Sequence, residues 1–207
     1  MKIIFLGDSI TDAHRSYQAD YALSSYGVGF VRSVAGRLLC EDHAKYQILN
    51  RGINGNKTVD LYARLKKDVW NENPDVLSIL VGVNDLAFDV KLGCGVELKR
   101  YEKVYRAIIM ETLERFPNVK LILMEPFAMR GTETDAFYEG FCEITAYAKI
   151  VRSLSEEFQA KFVPLQADLD RLAKVYGNEA VLSDGVHPTL FGAELIAEKW
   201  LDTFRKI

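Results

Sequence analysis

Four short segments of this chain hold residues that can do chemistry together. The first is Gly7-Asp8-Ser9-Ile10-Thr11-Asp12. A serine hydroxyl is a weak nucleophile until a base takes its proton. A base with its own partner occurs in Ser183-Asp184-Gly185-Val186-His187-Pro188. An aspartate three residues before an imidazole can accept Nδ1–H, fix the tautomer and leave Nε2 free. The chain has 3 histidines, and His14 and His43 lie in polar stretches without a comparable partner, so they read as surface residues. Two further segments can supply donors. Asn50-Arg51-Gly52-Ile53-Asn54-Gly55-Asn56 is rich in glycine and asparagine and can aim a backbone N–H at an oxyanion. Gly82-Val83-Asn84-Asp85 can add the Asn84 amide. Each segment alone has a plainer reading: a helix N-cap at Ser9, positive-φ turn glycines, an Asn-Asp strand end. A nucleophile, a base with its acid and two donor loops together point to acyl transfer.

These segments must be brought together by regular elements. Continuous apolar runs cover Ile3 to Leu6, Tyr46 to Leu49, Val76 to Val81, Val119 to Met124 and Lys161 to Leu165. Such runs suit strands buried on both faces. Between them lie helical stripes: Tyr101, Val104, Tyr105 and Ile108; then Phe137, Phe141, Ile144, Ala148 and Val151; then Ala193, Ile196, Ala197, Trp200, Leu201 and Phe204. Pro188 and Thr189 are expected to open the last helix. Strand and helix alternate about five times, which gives a three-layer α/β domain spanning residues 1–207 with a parallel sheet. Ligands of such sheets gather at the carboxyl ends of the strands. All four segments fall at or beside those ends.

Composition narrows the partners. Of the 207 residues, 49% are apolar and 27% charged, with a formal net charge of -3. Acids and bases are interspersed and no basic stripe is present, which argues against nucleic acid. The apolar run after Lys2 is too short for a signal peptide or a membrane span, so a cytoplasmic location is expected. Cys40, Cys94 and Cys142 are odd in number and widely spaced; they read as reduced thiols in the core or near the surface.

The blocks GDSIT from Gly7, NRGINGN from Asn50, GVND from Gly82 and DGVHP from Asp184 resemble those of the SGNH (GDSL-type) hydrolases, in that family's order and over nearly the whole chain. The resemblance implies a flavodoxin-like, five-stranded parallel sheet of order 2-1-3-4-5. It implies Ser9 as nucleophile, His187 as base and Asp184 as its partner. It implies an oxyanion hole from the Ser9 N–H, the Gly55 N–H and the Asn84 side chain, with Gly52 the alternative glycine. Asp8, Asp12 and Gly52 would support these turns. The serine is not in a G-x-S-x-G elbow. Within the family, Tyr26-Gly27-Val28-Gly29-Phe30, the NRGINGN loop, Glu125-Pro126-Phe127 and HPTLFGAELIAEKW from His187 are similar to bacterial esterases that deacetylate xylan fragments. Two positions depart: Leu86-Ala87-Phe88 stands where a tryptophan is common, and Asn54 where a serine is.

The expected activity is hydrolysis of short-chain, acetyl-type esters of small carbohydrates such as xylo-oligosaccharides, without metal or organic cofactor. Lysophospholipase, arylesterase and thioesterase activities suit the same machinery. Tyr17, Tyr21, Tyr26, Phe88 and Phe127 can stack on sugar rings or simply pack. A homo-oligomer is compatible with the sequence. Two distant alternatives are a Mg2+ site on Asp8, Asp12, Asp85 and Asp184 for phosphoryl transfer, and a flavodoxin-like binding module. The only G-x-G steps, at Gly27 and Gly93, lack the dinucleotide-binding context.

Overall fold

The computed structural model describes residues 1–18 and 20–207. Five strands form one parallel sheet: β1 (Lys2–Gly7), β2 (Gln47–Gly52), β3 (Val76–Leu80), β4 (Lys120–Met124) and β5 (Lys161–Val163). Their order is β2-β1-β3-β4-β5, as the family resemblance implies. The helices are α1 (Ser9–Asp12), α2 (Phe30–Glu41), α3 (Thr58–Asp68), α4 (Val83–Leu92), α5 (Leu98–Arg115), α6 (Tyr138–Phe141), α7 (Ile144–Glu157), α8 (Gln166–Tyr176), α9 (Asn178–Val181) and α10 (Leu190–Phe204). α3, α5 and α7 pack together on one side of the sheet, and α2 and α10 on the other.

β1 lies between β2 and β3 and is buried from Ile3 to Gly7. Its last residue, Gly7, is in register with Gly52 of β2 and Leu80 of β3. The chain segments that leave these three strands therefore start side by side. The α2–α10 side is held by a run of aromatic contacts. Phe5 meets Phe30 at 5.7 Å and Trp200 at 4.8 Å between ring centroids, and Trp200 stacks on Phe204 at 4.9 Å. These tie the nucleophile strand to both helices of that layer. On the other side Tyr101 packs against Tyr105 and Tyr147 at 5.6 and 4.8 Å. The Tyr101 hydroxyl donates to the Val81 carbonyl at 2.9 Å, and that of Tyr147 to the Val96 carbonyl at 2.8 Å.

Several local expectations need correction. β2 runs on through Asn50-Arg51-Gly52 rather than turning there, because Gly52 pairs with Gly7. The Phe137-to-Val151 stripe is not one helix: a 3-10 turn at Asp135–Phe137 and α6 precede α7, and Phe137 is exposed. α10 begins at Leu190, with Thr189 as its N-cap accepting the Gly192 N–H at 3.2 Å. The stripe from Ala193 to Phe204 is buried as expected. All three cysteines are free and exposed, so none serves the core. Among the described residues, no helix is long and apolar enough to cross a membrane.

Candidate active site

Ser9 is the first residue of α1, directly after the β1 turn. The helix lasts one turn. Asp8 caps it, its Oδ1 accepting the Ile10 N–H at 3.0 Å, and Ala13 ends it at φ 44°. A single turn has little macrodipole, so what α1 offers an oxyanion is the Ser9 N–H itself, one of the unpaired donors of a helix start. The segment from Leu182 to Pro188 reaches Ser9 from the opposite end of the chain. An isolated antiparallel bridge joins Leu182 and Pro188, and the Ser183 N–H donates to the His187 carbonyl at 2.8 Å. Inside this closed loop Asp184 Oδ1 accepts the backbone N–H groups of Val186 and His187 at 2.9 and 2.8 Å.

Asp184 Oδ2 then lies 2.6 Å from His187 Nδ1, and His187 Nε2 lies 2.9 Å from Ser9 Oγ. Burial alone would raise the Asp184 carboxyl. The His187 backbone N–H, the His187 ring, the Val186 N–H and the His187 charge outweigh it, and the net direction is below the ordinary carboxylate range. An ionised Asp184 can only accept, so Nδ1 carries the proton and Nε2 presents its lone pair to the Ser9 hydroxyl. The three residues singled out in sequence are thus joined in one hydrogen-bonded line.

The glycine–asparagine loop is fastened to the turn that carries Ser9, the Ile53 N–H donating to the Gly7 carbonyl at 3.0 Å and the Asn54 N–H to Asp12 Oδ2 at 3.2 Å. Gly52 and Gly55 are now distinguishable. The Gly52 N–H is taken by Asn50 Oδ1 at 2.8 Å, and a Cβ there would lie 2.1 Å from the Asp12 nitrogen. Gly52 is a close-packing residue. Gly55 sits at φ 76° with open space where a Cβ would be, and no acceptor takes its N–H among the described residues. Asn84, in the first turn of α4, gives one amide hydrogen to the Asn56 carbonyl at 3.1 Å. That bond ties the third segment to the second and leaves the other amide hydrogen available.

The supporting aspartates have separate tasks. Asp12 is buried; Oδ1 accepts the Arg15 N–H at 3.2 Å, and Oδ2 accepts the Asn54 N–H at 3.2 Å and the Tyr17 hydroxyl. It therefore fastens α1 to the glycine–asparagine loop. Asp8 is wholly buried and its Oδ2 has no partner among the described residues. Burial chiefly pushes this carboxyl up to about 7, with the nearby Asp85 adding to the rise. Asp85 accepts the Thr58 N–H at 3.0 Å and the Thr58 hydroxyl; its burial also dominates and raises it to about 6. The four aspartates weighed as a Mg2+ site thus face different partners. Among the described residues no three His, Cys, Asp or Glu side chains gather as metal ligands.

Of the aromatics considered for sugar stacking, Tyr26 and Phe127 are buried in the core. Tyr17 lies under the Arg15 guanidinium at 4.1 Å, and Phe88 under the Lys57 ammonium at 4.8 Å. Tyr21 is exposed.

Two contributors, Arg64 and Gly131, were not visible in the sequence, nor was the side-chain role of Asn50. Asn50 donates from one amide to the Thr11 and Tyr26 carbonyls at 2.7 and 3.0 Å. Arg64 of α3 donates to the Gly7 carbonyl at 2.9 Å, the Arg51 carbonyl at 2.8 Å and Asn56 Oδ1 at 2.8 Å, and is ion-paired with Asp68 at 2.6 Å. Gly131 lets the segment after β4 back the acid–base loop: a Cβ there would lie 2.3 Å from the Asp184 carbonyl carbon.

Comparison with known proteins shows the family and the fold. The model of the GDSL-like lipase/acylhydrolase family matches residues 5–195. An acetylxylan esterase of Geobacillus stearothermophilus is 33% identical over 97% of this chain and 92% of its own length. Among solved structures, one described as a GDSL-like lipase from Parabacteroides merdae superposes with a TM-score of 0.88 at 36% identity, covering 98% of this chain and 94% of that one. The Geobacillus acetylxylan esterase superposes with a TM-score of 0.86 at 31% identity, covering 98% and 93%. Structures described as catalytic mutants of that esterase replace a serine, an aspartate and a histidine by alanine.

Proposed function

This chain belongs to the GDSL-like lipase/acylhydrolase family and is a carboxylic ester hydrolase, and we propose that it removes acetyl groups from small carbohydrates, such as xylo-oligosaccharides, through an acyl-enzyme on Ser9. The observation that carries the chemistry is the continuous line from Asp184 through His187 to Ser9, at 2.6 and 2.9 Å. The acetyl and carbohydrate specificity is supported by the 33% identity to an acetylxylan esterase.

His187 Nε2 takes the Ser9 proton as Oγ attacks the ester carbonyl. Negative charge develops on the carbonyl oxygen, where the Ser9 N–H, the Gly55 N–H and the Asn84 amide receive it. Each such donor is worth roughly 3–4 kcal/mol of transition-state stabilisation. The C–O bond to the alcohol breaks, and the alcohol leaves with the proton from His187. Water, deprotonated by the same imidazole, then attacks the acetyl-serine; acetate leaves and the serine hydroxyl is restored. Asp184 holds the tautomer throughout. No step calls on a cofactor.

Ser9→Ala is expected to lower kcat/KM for p-nitrophenyl acetate by at least roughly 10⁴-fold, with folding intact by circular dichroism. Turnover near wild type would remove Ser9 from the mechanism. A series of p-nitrophenyl esters of rising acyl length, run beside acetylated xylo-oligosaccharides, tests the acyl and alcohol preferences. Acetyl is expected to lead the series.

A further inference from the structure

Beside Ser9 the surface opens into a recess of about 440 Å³, within the size range of small-molecule sites. Ser9 and His187 form part of its wall, and the exposed side chains of Val28 and Leu190 supply apolar surface. In the reaction proposed above, the leaving oxygen must receive its proton from His187. The alcohol part of the ester therefore lies on the His187 side of Ser9. The recess is on that side, since His187, Pro188 and Thr189 line it and the donors Gly55 and Asn84 do not.

Arg32 is the one fixed charge in the lining of this recess. His14 and Arg32 stand in its wall and no aspartate or glutamate does, although the chain as a whole carries a formal charge of -3. Arg37, five residues further along α2, is paired with Glu194 at 2.8 Å. Arg32 enters no ion pair among the described residues.

The backbone that carries His14 is held in an uncommon shape. Ala13 and His14 lie consecutively at φ 44° and 61°. This left-handed region is strained for a residue with a side chain. The neighbouring segment holds them there. The Val28 N–H donates to the Ala13 carbonyl at 2.8 Å. A Cβ at residue 27 would lie 2.4 Å from the Asp12 carbonyl oxygen, and one at residue 29 would lie 2.7 Å from the Ala13 Cβ. Two glycines thus make room for a strained turn that brings His14 to the recess.

We propose that this recess selects esters whose alcohol part carries an oxyanion, a carboxylate or a phosphate, gripped by Arg32 with His14 beside it. The proposal rests on the serine-esterase reading above and makes acidic or phosphorylated sugars its preferred acetyl carriers. A guanidinium pairs with both groups through two parallel N–H donors, and the apolar wall suits the face of a sugar ring.

The test uses three acetyl esters on the same ring hydroxyl: of methyl glucoside, of methyl glucuronide and of methyl glucoside 6-phosphate. One or both anionic esters are expected to exceed the neutral one in kcat/KM by about tenfold at low salt, and the excess shrinks as ionic strength rises. Which anionic ester leads separates carboxylate from phosphate. Arg32→Gln brings the anionic-to-neutral ratio close to one. Arg37→Gln removes the same charge from the same helix away from the recess and leaves the ratio unchanged. A wild-type ratio near one, or a preference that survives Arg32→Gln, overturns the proposal. Ser9-dependent hydrolysis of p-nitrophenyl acetate, measured on the same preparation, separates the two readings. If it holds while the ratio is one, only the anion subsite fails; if it is absent, the serine-esterase reading and the subsite both fail.

Discussion

At Asp184, burial and hydrogen bonding pull in opposite directions, and the hydrogen bonds win. Burial raises the carboxyl, and the two backbone N–H groups on Oδ1 together with the His187 ring and its charge bring it below the ordinary carboxylate range. This separates the two jobs of the residue: Oδ1 shapes the loop and Oδ2 fixes the His187 tautomer. Asp184→Asn tests that separation. Asparagine can still accept the two backbone donors through Oδ1, so the loop keeps its form. Its amide nitrogen then faces Nδ1 and favours the tautomer with the proton on Nε2, which cannot accept from Ser9. The expected result is a loss of roughly 10³–10⁴-fold in kcat/KM with little change in melting temperature. A variant within tenfold of wild type would show that Asp184 does not set the tautomer.

Elements explain why part of the site was legible in the sequence and part was not. Ser9, Asp184 and His187 were legible because each lies in a local pattern: a turn after an apolar strand, and an acid three residues before a histidine. The sheet brings those patterns together without further instruction, since Gly7, Gly52 and Leu80 end in register. The broken helix around α6 was not legible, because the apolar spacing continues across a backbone that turns. Arg64 was not legible either. On α3 it reads as an ordinary solvated arginine paired with Asp68 four residues on, and nothing local marks its acceptors, the carbonyls of Gly7 and Arg51. Those acceptors make it a positioning residue, because it links the turn before Ser9 to the Asn56 side chain, whose backbone carbonyl holds Asn84. Arg64→Met is expected to lower kcat roughly 10- to 100-fold through misplaced donors, with KM within about twofold. Arg64→Lys should recover only part, since one ammonium cannot span the acceptors of a planar guanidinium. A drop in kcat that matches the unfolded fraction would reduce Arg64 to a stability role.

For the whole molecule, the cost of this arrangement is two carboxyls in the core behind the nucleophile. Asp8 caps α1 and Asp85 anchors Thr58 at the start of α3, and both are almost completely buried. The sign of the consequence follows from linkage. Both carboxyls titrate at the ordinary 3.8 when unfolded, and when folded at about 7 for Asp8 and about 6 for Asp85. Between those values the folded chain binds more protons than the unfolded one, so stability falls as pH rises. For Asp8 alone the full fall is of order 4 kcal/mol, about 1.4 kcal/mol for each pH step between the two values. Asp20, Asp168 and Asp184 are shifted the other way, by Arg51, by Lys199 and by the His187 loop. Their contribution is lost only as pH falls below the ordinary carboxylate range. The two windows do not overlap, so stability should peak near pH 4 to 5 and decline toward pH 7, and urea denaturation across that range measures it. Asp8→Asn should flatten the decline: its side-chain oxygen still accepts the Ile10 N–H, and no charge need enter the core at neutral pH. Wild-type stability that stays level or rises between pH 5 and 7 would show that these carboxyls do not stay protonated in the fold, and that the core behind Ser9 tolerates their charge.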